Sequence, residues 1–355
     1  MKLGELGEFE LIEKMARVFR PEGAAVADAA AAFSRLDVGI GDDAAVWRPT
    51  PGRSTIATAD AVVEGVHFTI ETTSWYDLGW KAMASNLSDI AGMGGAPRYA
   101  LAVLGTDRNR DEHDVLDLCR GMADIARRFG AEVVGGDTVS SPVTTLSITV
   151  LGESIEADGA EAALLSRYAA RPGYEIAVTG TLGSSAGGFE LLRRGGQEVP
   201  PGLEPLVRAH CHPMPRVTEG QMLVQAGVPC GMDMSDGLVQ DLTRICLASN
   251  ISAAIELDRL PMDPLLPATF GERAVEMALS GGEDYELLCL APPDVMARAV
   301  SFLEAAGRSL TVVGWAEARD PSSAPVMLLD SDGNRHAPRR MGWDHFSAGT
   351  DAAGS

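Results

Sequence analysis

Six short acidic motifs, each set among glycine or other small residues, recur along nearly the whole chain: Gly41-Asp42-Asp43, Thr58-Ala59-Asp60, Ser88-Asp89, Gly135-Gly136-Asp137, Asp233-Met234-Ser235-Asp236-Gly237 and Gly281-Gly282-Glu283-Asp284. Most border an apolar run that reads as a strand, which predicts a place at strand ends. A fold that gathered so many carboxylates without counter-charge would raise their pKa values or unfold its own site. Divalent cations remove that difficulty. Oxygen-ligated Mg²⁺ bridging the phosphates of a nucleotide is the commonest biological reason for such a set.

At 355 residues the chain exceeds one typical core, so two domains are expected. The formal charge of −21 argues against nucleic acid or an anionic membrane as the main partner. Lysine is confined to Lys2, Lys14 and Lys81. Phosphate binding must therefore rest on arginine, backbone amides and metal. The cysteines (Cys119, Cys211, Cys230, Cys246 and Cys289) are odd in number and lack CxxC spacing, so they read as free thiols of a reducing cytoplasm. No signal peptide is evident, and no apolar run approaches the ~20 residues of a membrane span.

Apolar spacing predicts helices over 8–19, 75–93, 112–129, 189–194, 215–226, 238–248 and 293–306. On the second of these, Lys81, Ser85 and Asp89 fall four apart along one stripe. Strands are expected at 54–58, 99–105, 131–134, 146–151, 175–179, 253–257, 286–290 and 311–314. The alanine-rich stretch 23–33 reads as a loop or a loose helix. This succession predicts an α/β (α+β) fold of two domains, residues 1–157 and 158–345, with a disordered tail at 346–355.

No GxxxxGK[ST] element, kinase catalytic loop or DFG triplet is present, so any phosphoryl transfer must lean on metal. Two unit charges 4 Å apart repel by roughly 4 kcal/mol at an effective dielectric near 20, and two phosphate dianions by about four times that. Mg²⁺ held by aspartates would offset this repulsion. A phosphate acceptor is already ionised near neutral pH, so no strong general base is required. Each motif also has a plainer reading. Asp42 and Asp43 could form a turn, and Asp233 to Asp236 could cap a helix. The turn Thr181 to Gly188 could cradle an anion or simply allow close packing. His210-Cys211-His212 has no matching ligands nearby and reads as structural, as does His67 taken alone.

Read in order, the motifs resemble the thiamine-monophosphate kinase family, within the ATP-binding group typified by aminoimidazole ribonucleotide synthetase. The resemblance rests on Gly4 to Phe9, Gly39 to Asp43, Asp60 with Gly65-Val66-His67-Phe68, Lys81 to Gly94, and Gly135 to Thr138. It continues through Ser166-Arg167 before Pro172-Gly173, Asp233 to Leu238, Ser280 to Leu287, and Gly342-Trp343-Asp344-His345-Phe346. It implies ATP-dependent phosphorylation of thiamine monophosphate to thiamine diphosphate by direct in-line transfer. It also implies a homodimer whose N-terminal sheets join into a barrel, beside a C-terminal α/β domain.

Carried over by position, Asp43, Thr58, Ala59, Asp60, Asp89, Asp137 and Asp233 fall on Mg²⁺-ligand positions, with Asp236 holding a further ion. Gly136, Asp137, Arg167 and Ser235 fall on ATP contacts, and His67, Glu283 and Trp343 on the substrate pocket. Asp89, Asp137 and Asp236 carry the catalytic load. The family often reads Ser-Thr-Asp where this chain has Thr58-Ala59-Asp60, so Ala59 could offer only a backbone carbonyl. The rivals are an aminoimidazole-type synthetase of the same fold and a nucleotide-binding regulator without turnover. A selenophosphate synthetase would want a reactive cysteine near the N-terminus, and a hydrogenase-maturation relative one near the C-terminus. Neither is present.

Overall fold

Leu146, Ile148 and Val150 alternate with polar residues along Thr145–Glu153, and in a computed structural model of the chain that alternation is a strand with one buried face. The structure describes residues 1–19, 35–157, 160–195 and 199–342; the stretch 23–33, Trp343 and the tail 346–355 lie outside them. The chain divides into two compact units, Met1–Ile90 with Gly95–Glu156, and Ala91–Gly94 with the chain from Ala157 onward.

The first unit runs α1 (Leu3–Leu6), α2 (Glu8–Phe19), β1 (Leu36–Val38), β2 (Val46–Trp47), β3 (Thr55–Val63), α3 (Trp75–Gly92), β4 (Ala96–Thr106), α4 (Glu112–Arg128), β5 (Glu132–Ser140) and β6 (Thr145–Glu153). Four strands form a sheet in the order β3-β6-β4-β5. β3 pairs antiparallel with β6 from Thr55↔Glu153 to Val63↔Thr145, whereas β4 and β5 run parallel. Leu78, Met83, Leu87 and Ile90 of α3 are buried, as are Val115, Leu118, Met122 and Ile125 of α4. Among the described residues the opposite face of the sheet is less covered: Val103 is 41% exposed and Val139 49%.

Short strands β7 (Ile155–Ala157) and β8 (Ala160–Ala163) follow. The second unit then carries β9 (Glu175–Thr179), α5 (Ser184–Gly195), α6 (Glu204–Cys211), α7 (Val217–Gln225), β10 (Cys230–Asp233), α8 (Leu238–Ser249), β11 (Ile251–Glu256), α9 (Leu265–Phe270) and α10 (Arg273–Ser280). It ends with β12 (Leu287–Ala291), α11 (Pro293–Ala305), β13 (Leu310–Ala318), β14 (Val326–Leu329) and β15 (Arg335–His336). Its seven-stranded sheet is ordered β10-β12-β9-β13-β11-β14-β15 and is antiparallel except for β11 beside β14. Ile176, Val178, Met232, Leu242, Ile245, Ile255, Leu288 and Val313 build its core.

Two local expectations change. Asp60 and Gly136-Asp137 do not end their strands: β3 continues to Val63 and β5 to Ser140. The ladder to β4 persists through Gly135, Gly136 and Asp137, so the glycines are a close approach within the strand. Helix α5 starts at Ser184 rather than Phe189, because the glycine- and serine-rich turn is its first turns.

Candidate active site

On β3 the Thr58 side chain faces α3. The Thr58 hydroxyl donates to Oδ2 of Asp89, and the Asp60 amide donates to Oδ1 of Asn86 at 3.1 Å, one turn earlier on the same helix. Thr58 and Asp89 thus meet side chain to side chain, and the Asp60 backbone is tied to the same helix. Ala59 lies between Thr58 and Asp60, exposed on the other face. Asp43 is exposed and its amide donates to its neighbour Asp42 at 2.8 Å. His67 shapes its own turn, its Nδ1 accepting the Val63 amide at 3.1 Å.

Asp137 does not join this group within one chain. It sits on β5, the far edge of the sheet from β3, and pairs in register with the exposed Val103. Three strand spacings separate those edges, ~14 Å. Its side chain accepts the Thr138 amide at 2.8 Å. Gly136 has φ 152°, and a Cβ there would lie 1.8 Å from the Ala102 carbonyl oxygen, so this glycine has a packing reason of its own.

In the second unit, two motifs distant in sequence lie side by side. Asp233 ends β10, buried, opposite Leu287. Beyond the ladder the Tyr285 amide donates to the Met234 carbonyl at 3.0 Å, and the Glu283 amide to the Ser235 carbonyl at 2.8 Å. A third segment closes on them: a Cβ on Gly342 would lie 2.5 Å from the Asp236 carbonyl oxygen. That places the residue before Trp343 beside Asp236, while Trp343 itself is outside the described residues. Arg167 is exposed on a loop whose backbone is held by Ser249, the serine hydroxyl donating to the Arg167 carbonyl at 2.7 Å.

Three roles around these motifs escape a reading by motif alone. Asp241, on α8, reaches back to the amides of Asp236 at 3.0 Å and Gly237 at 3.2 Å. Desolvation, with Asp236 close by, pushes its carboxyl up to about 6. Arg244 bridges Asp241, at 2.7 Å, and Asp236. The third is Asp284, which accepts the Gly183 amide at 2.6 Å and the Ser185 amide at 2.9 Å. The anion at the start of α5 is therefore the chain's own carboxylate, which favours the packing reading of that turn. Desolvation pushes Asp284 up to about 7 despite the two amides. The carboxylate spacing Asp236 to Asp241 was a usable signal for the first; nothing local marks Asp284's partners, about a hundred residues away.

The donors in both units are carboxylate and hydroxyl oxygens, which suit Mg²⁺ rather than a softer metal. Among the described residues no group of three His, Cys, Asp or Glu side chains is pre-assembled around a metal position. Mg²⁺ commonly takes one or two carboxylates, with water and substrate phosphates completing its shell. The donor set fits.

Comparison with known proteins bears on the same residues. Residues 41–154 match the N-terminal domain, and 171–326 the C-terminal domain, of the AIR synthase related proteins. A thiamine-monophosphate kinase of Bacillus subtilis is 33% identical over 316 residues, covering 88% of this chain and 94% of that one. This chain belongs to the thiamine-monophosphate kinase family. A crystal structure of a family member from Stenotrophomonas maltophilia superposes with a TM-score of 0.76 at 33% identity, covering 89% of this chain and 98% of that one. AaThiL, solved with AMPPCP and TMP, superposes with a TM-score of 0.73 at 30% identity over 98% of this chain and 99% of its own. The two-domain α/β architecture is common to the family. Among the described residues no helix is long and apolar enough to cross a membrane.

Proposed function

We propose that this chain transfers the terminal phosphoryl group of ATP to thiamine monophosphate, releasing thiamine diphosphate and ADP. The observation that carries the reading is likeness over 98% of the chain to AaThiL, a protein whose structure holds an ATP analogue and TMP. Residues 1–157 are assigned to ATP and Mg²⁺ binding and to dimer formation, and residues 158–345 to the C-terminal α/β domain.

Asp43, Asp60, Asp89 and Asp137 of the first unit, and Asp233 and Asp236 of the second, are assigned to hold Mg²⁺, aided by the Thr58 hydroxyl and the Ala59 carbonyl. When bound, Mg²⁺ neutralises phosphate charge and so permits two anions to approach. Thr58, by donating to Oδ2 of Asp89, orients that carboxylate. Gly136, Asp137, Arg167 and Ser235 are assigned to ATP, where the arginine supplies the charge for which lysine is scarce in this chain. His67, Glu283 and Trp343 are assigned to thiamine monophosphate. A carboxylate complements its cationic ring, and an indole suits stacking on it. The acceptor is an ionised phosphate oxygen, so no residue is asked to remove a proton before in-line attack.

A homodimer is part of the reading. The open face bearing Val103 and Val139, with β3 at the sheet's free edge, is apolar surface that a second copy would cover. Free buried thiols suit a cytoplasmic setting.

The test is chromatography of the products after mixing purified protein with ATP, Mg²⁺ and thiamine monophosphate. Thiamine diphosphate formed in step with ADP, and lost on chelation, is the expected result. ATP left intact would turn the assignment towards an aminoimidazole-type synthetase or a nucleotide binder without turnover.

A further inference from the structure

Glu283 lies in a backbone conformation that its residue type rarely adopts. Its φ is 67°, and Tyr285, two residues on, has φ 50°. Such a stretch persists only where its surroundings hold it. Two attachments are already clear: the amides of Glu283 and Tyr285 donate to the segment Met234–Ser235, and Asp284 between them takes the first amides of α5.

A third element meets the Glu283 side chain itself. His210, near the end of α6, is 7% exposed. Its Nδ1 lies 3.1 Å from the Ser185 hydroxyl and 3.6 Å from Oε2 of Glu283. Its ring packs at a tilt against Phe189, with centroids 5.2 Å apart. Ser185 and Phe189 are four apart on α5 and present one face of that helix to the imidazole. The ring is thereby gripped on its flat side and directed at its Nδ1 edge. Ser185 serves twice, since its amide also binds Asp284.

We propose that His210 is a positioning residue for Glu283. The imidazole, oriented by Ser185 and Phe189, holds the carboxylate at the one place where it can face the cationic ring of the acceptor substrate. This rests on the assignment of Glu283 to thiamine monophosphate. A buried imidazole needs a hydrogen-bond partner in any case, and the Ser185 hydroxyl meets that need. The Glu283 carboxylate within ion-pairing distance of the same Nδ1 is what packing alone would not require.

The experiment compares the wild-type enzyme with His210→Phe, His210→Gln and Ser185→Ala, measuring KM for thiamine monophosphate and for ATP separately, with thermal melting as a control. The Phe variant keeps a ring against Phe189 and loses the nitrogen. It should raise KM for thiamine monophosphate at least about fivefold and KM for ATP less than about twofold. The Gln variant retains a polar group and should recover most of the loss, while Ser185→Ala should move in the same direction by a smaller factor. Unchanged KM for thiamine monophosphate in both the Phe and Ala variants overturns the proposal, as does an equal rise for both substrates. If the Phe variant fails to fold, the Ala variant carries the same test. A wild-type enzyme that forms no thiamine diphosphate would instead refute the assigned reaction.

Discussion

Asp241 closes the start of α8 from inside the helix, accepting the amide of Asp236 at 3.0 Å through a side chain that solvent does not reach. The usual arrangement has a residue ahead of the helix bonding forward to its first amides. Here Gly237, the residue before α8, has no side chain to do so, and the fourth helical residue reaches back. Arg244 supplies the charge that makes a buried carboxylate tolerable there.

Removing that charge should cost stability. Arg244→Met leaves Asp241 buried and uncompensated, and losing one partner of a buried pair typically costs several kcal/mol. Because the Arg244 side chain is 39% exposed, the expected loss is smaller, about 2 kcal/mol. Urea midpoints of wild type and variant measure it. An unchanged midpoint would mean that the Asp236 and Gly237 amides suffice for Asp241 without Arg244.

Asp284 should leave a signature in the pH dependence of stability. Its carboxyl lies at about 7 in the folded chain against an ordinary 3.8. Between those values the folded state retains a proton that the unfolded state gives up. Stability attributable to this group is therefore full at low pH and lost as pH rises through about 7, by at most about 1.4 kcal/mol per pH unit. Asp284→Asn cannot titrate. Whatever it does to the absolute midpoint, the stability of wild type minus that of the variant should fall as pH is raised from 5 to about 7 and then level off, and a constant difference would refute the assignment.

Gly136→Ala should damage the first unit independently of any nucleotide. The new Cβ would overlap the Ala102 carbonyl, 1.8 Å away, at a φ of 152°. Separating β4 from β5, or straining the backbone, should cost about 2–5 kcal/mol. Differential scanning calorimetry without ligand would register this as a drop in melting temperature. Wild-type melting with lost activity would instead favour a purely nucleotide-binding role for this glycine.

How far these arrangements were legible depends on how local their causes are. Apolar spacing predicts α2 at Glu8–Phe19 and β9 at Glu175–Thr179, where the structure has them, because such patterns are properties of the segment itself. Gly136 misled: a glycine pair after a β-branched run looks like the end of a strand, and only the neighbour's carbonyl shows why the strand needs it. The seven-stranded order is a matter of long-range pairing, which no local pattern encodes. The same holds for Glu286, whose carboxylate accepts from Thr179 at 2.6 Å and from Arg216 at 2.6 Å across wide gaps in sequence. Of the candidate ligands, Thr58, Asp60 and Asp89 were legible as a strand and a helix stripe. That Asp137 lies across the sheet from them was not.

The open face of the first sheet supports a test of assembly. Val103→Glu combined with Val139→Glu places charge on surface that should be covered in a dimer, at exposures that the single chain tolerates. Light scattering should then report half the wild-type mass. Equal masses for the two proteins would remove this face from the interface.

Asp89→Asn isolates the chemistry from the fold. The substitution preserves volume and still offers Thr58 an acceptor, so circular dichroism and melting temperature should hold within a few degrees. What it removes is a negative charge beside Thr58 and Asp60, where the oxygen donors gather. If that charge serves Mg²⁺ and phosphate, turnover should fall by about a hundredfold or more, and the Mg²⁺ concentration giving half of the remaining activity should rise. Asp137→Asn should behave alike although β5 lies at the opposite edge of the sheet from β3. Two distant substitutions with one phenotype is what a shared metal–nucleotide assembly requires, and what local structural damage would not produce. Near-normal turnover in both variants would sink the metal assignment, leaving the acidic motifs as turn and helix chemistry.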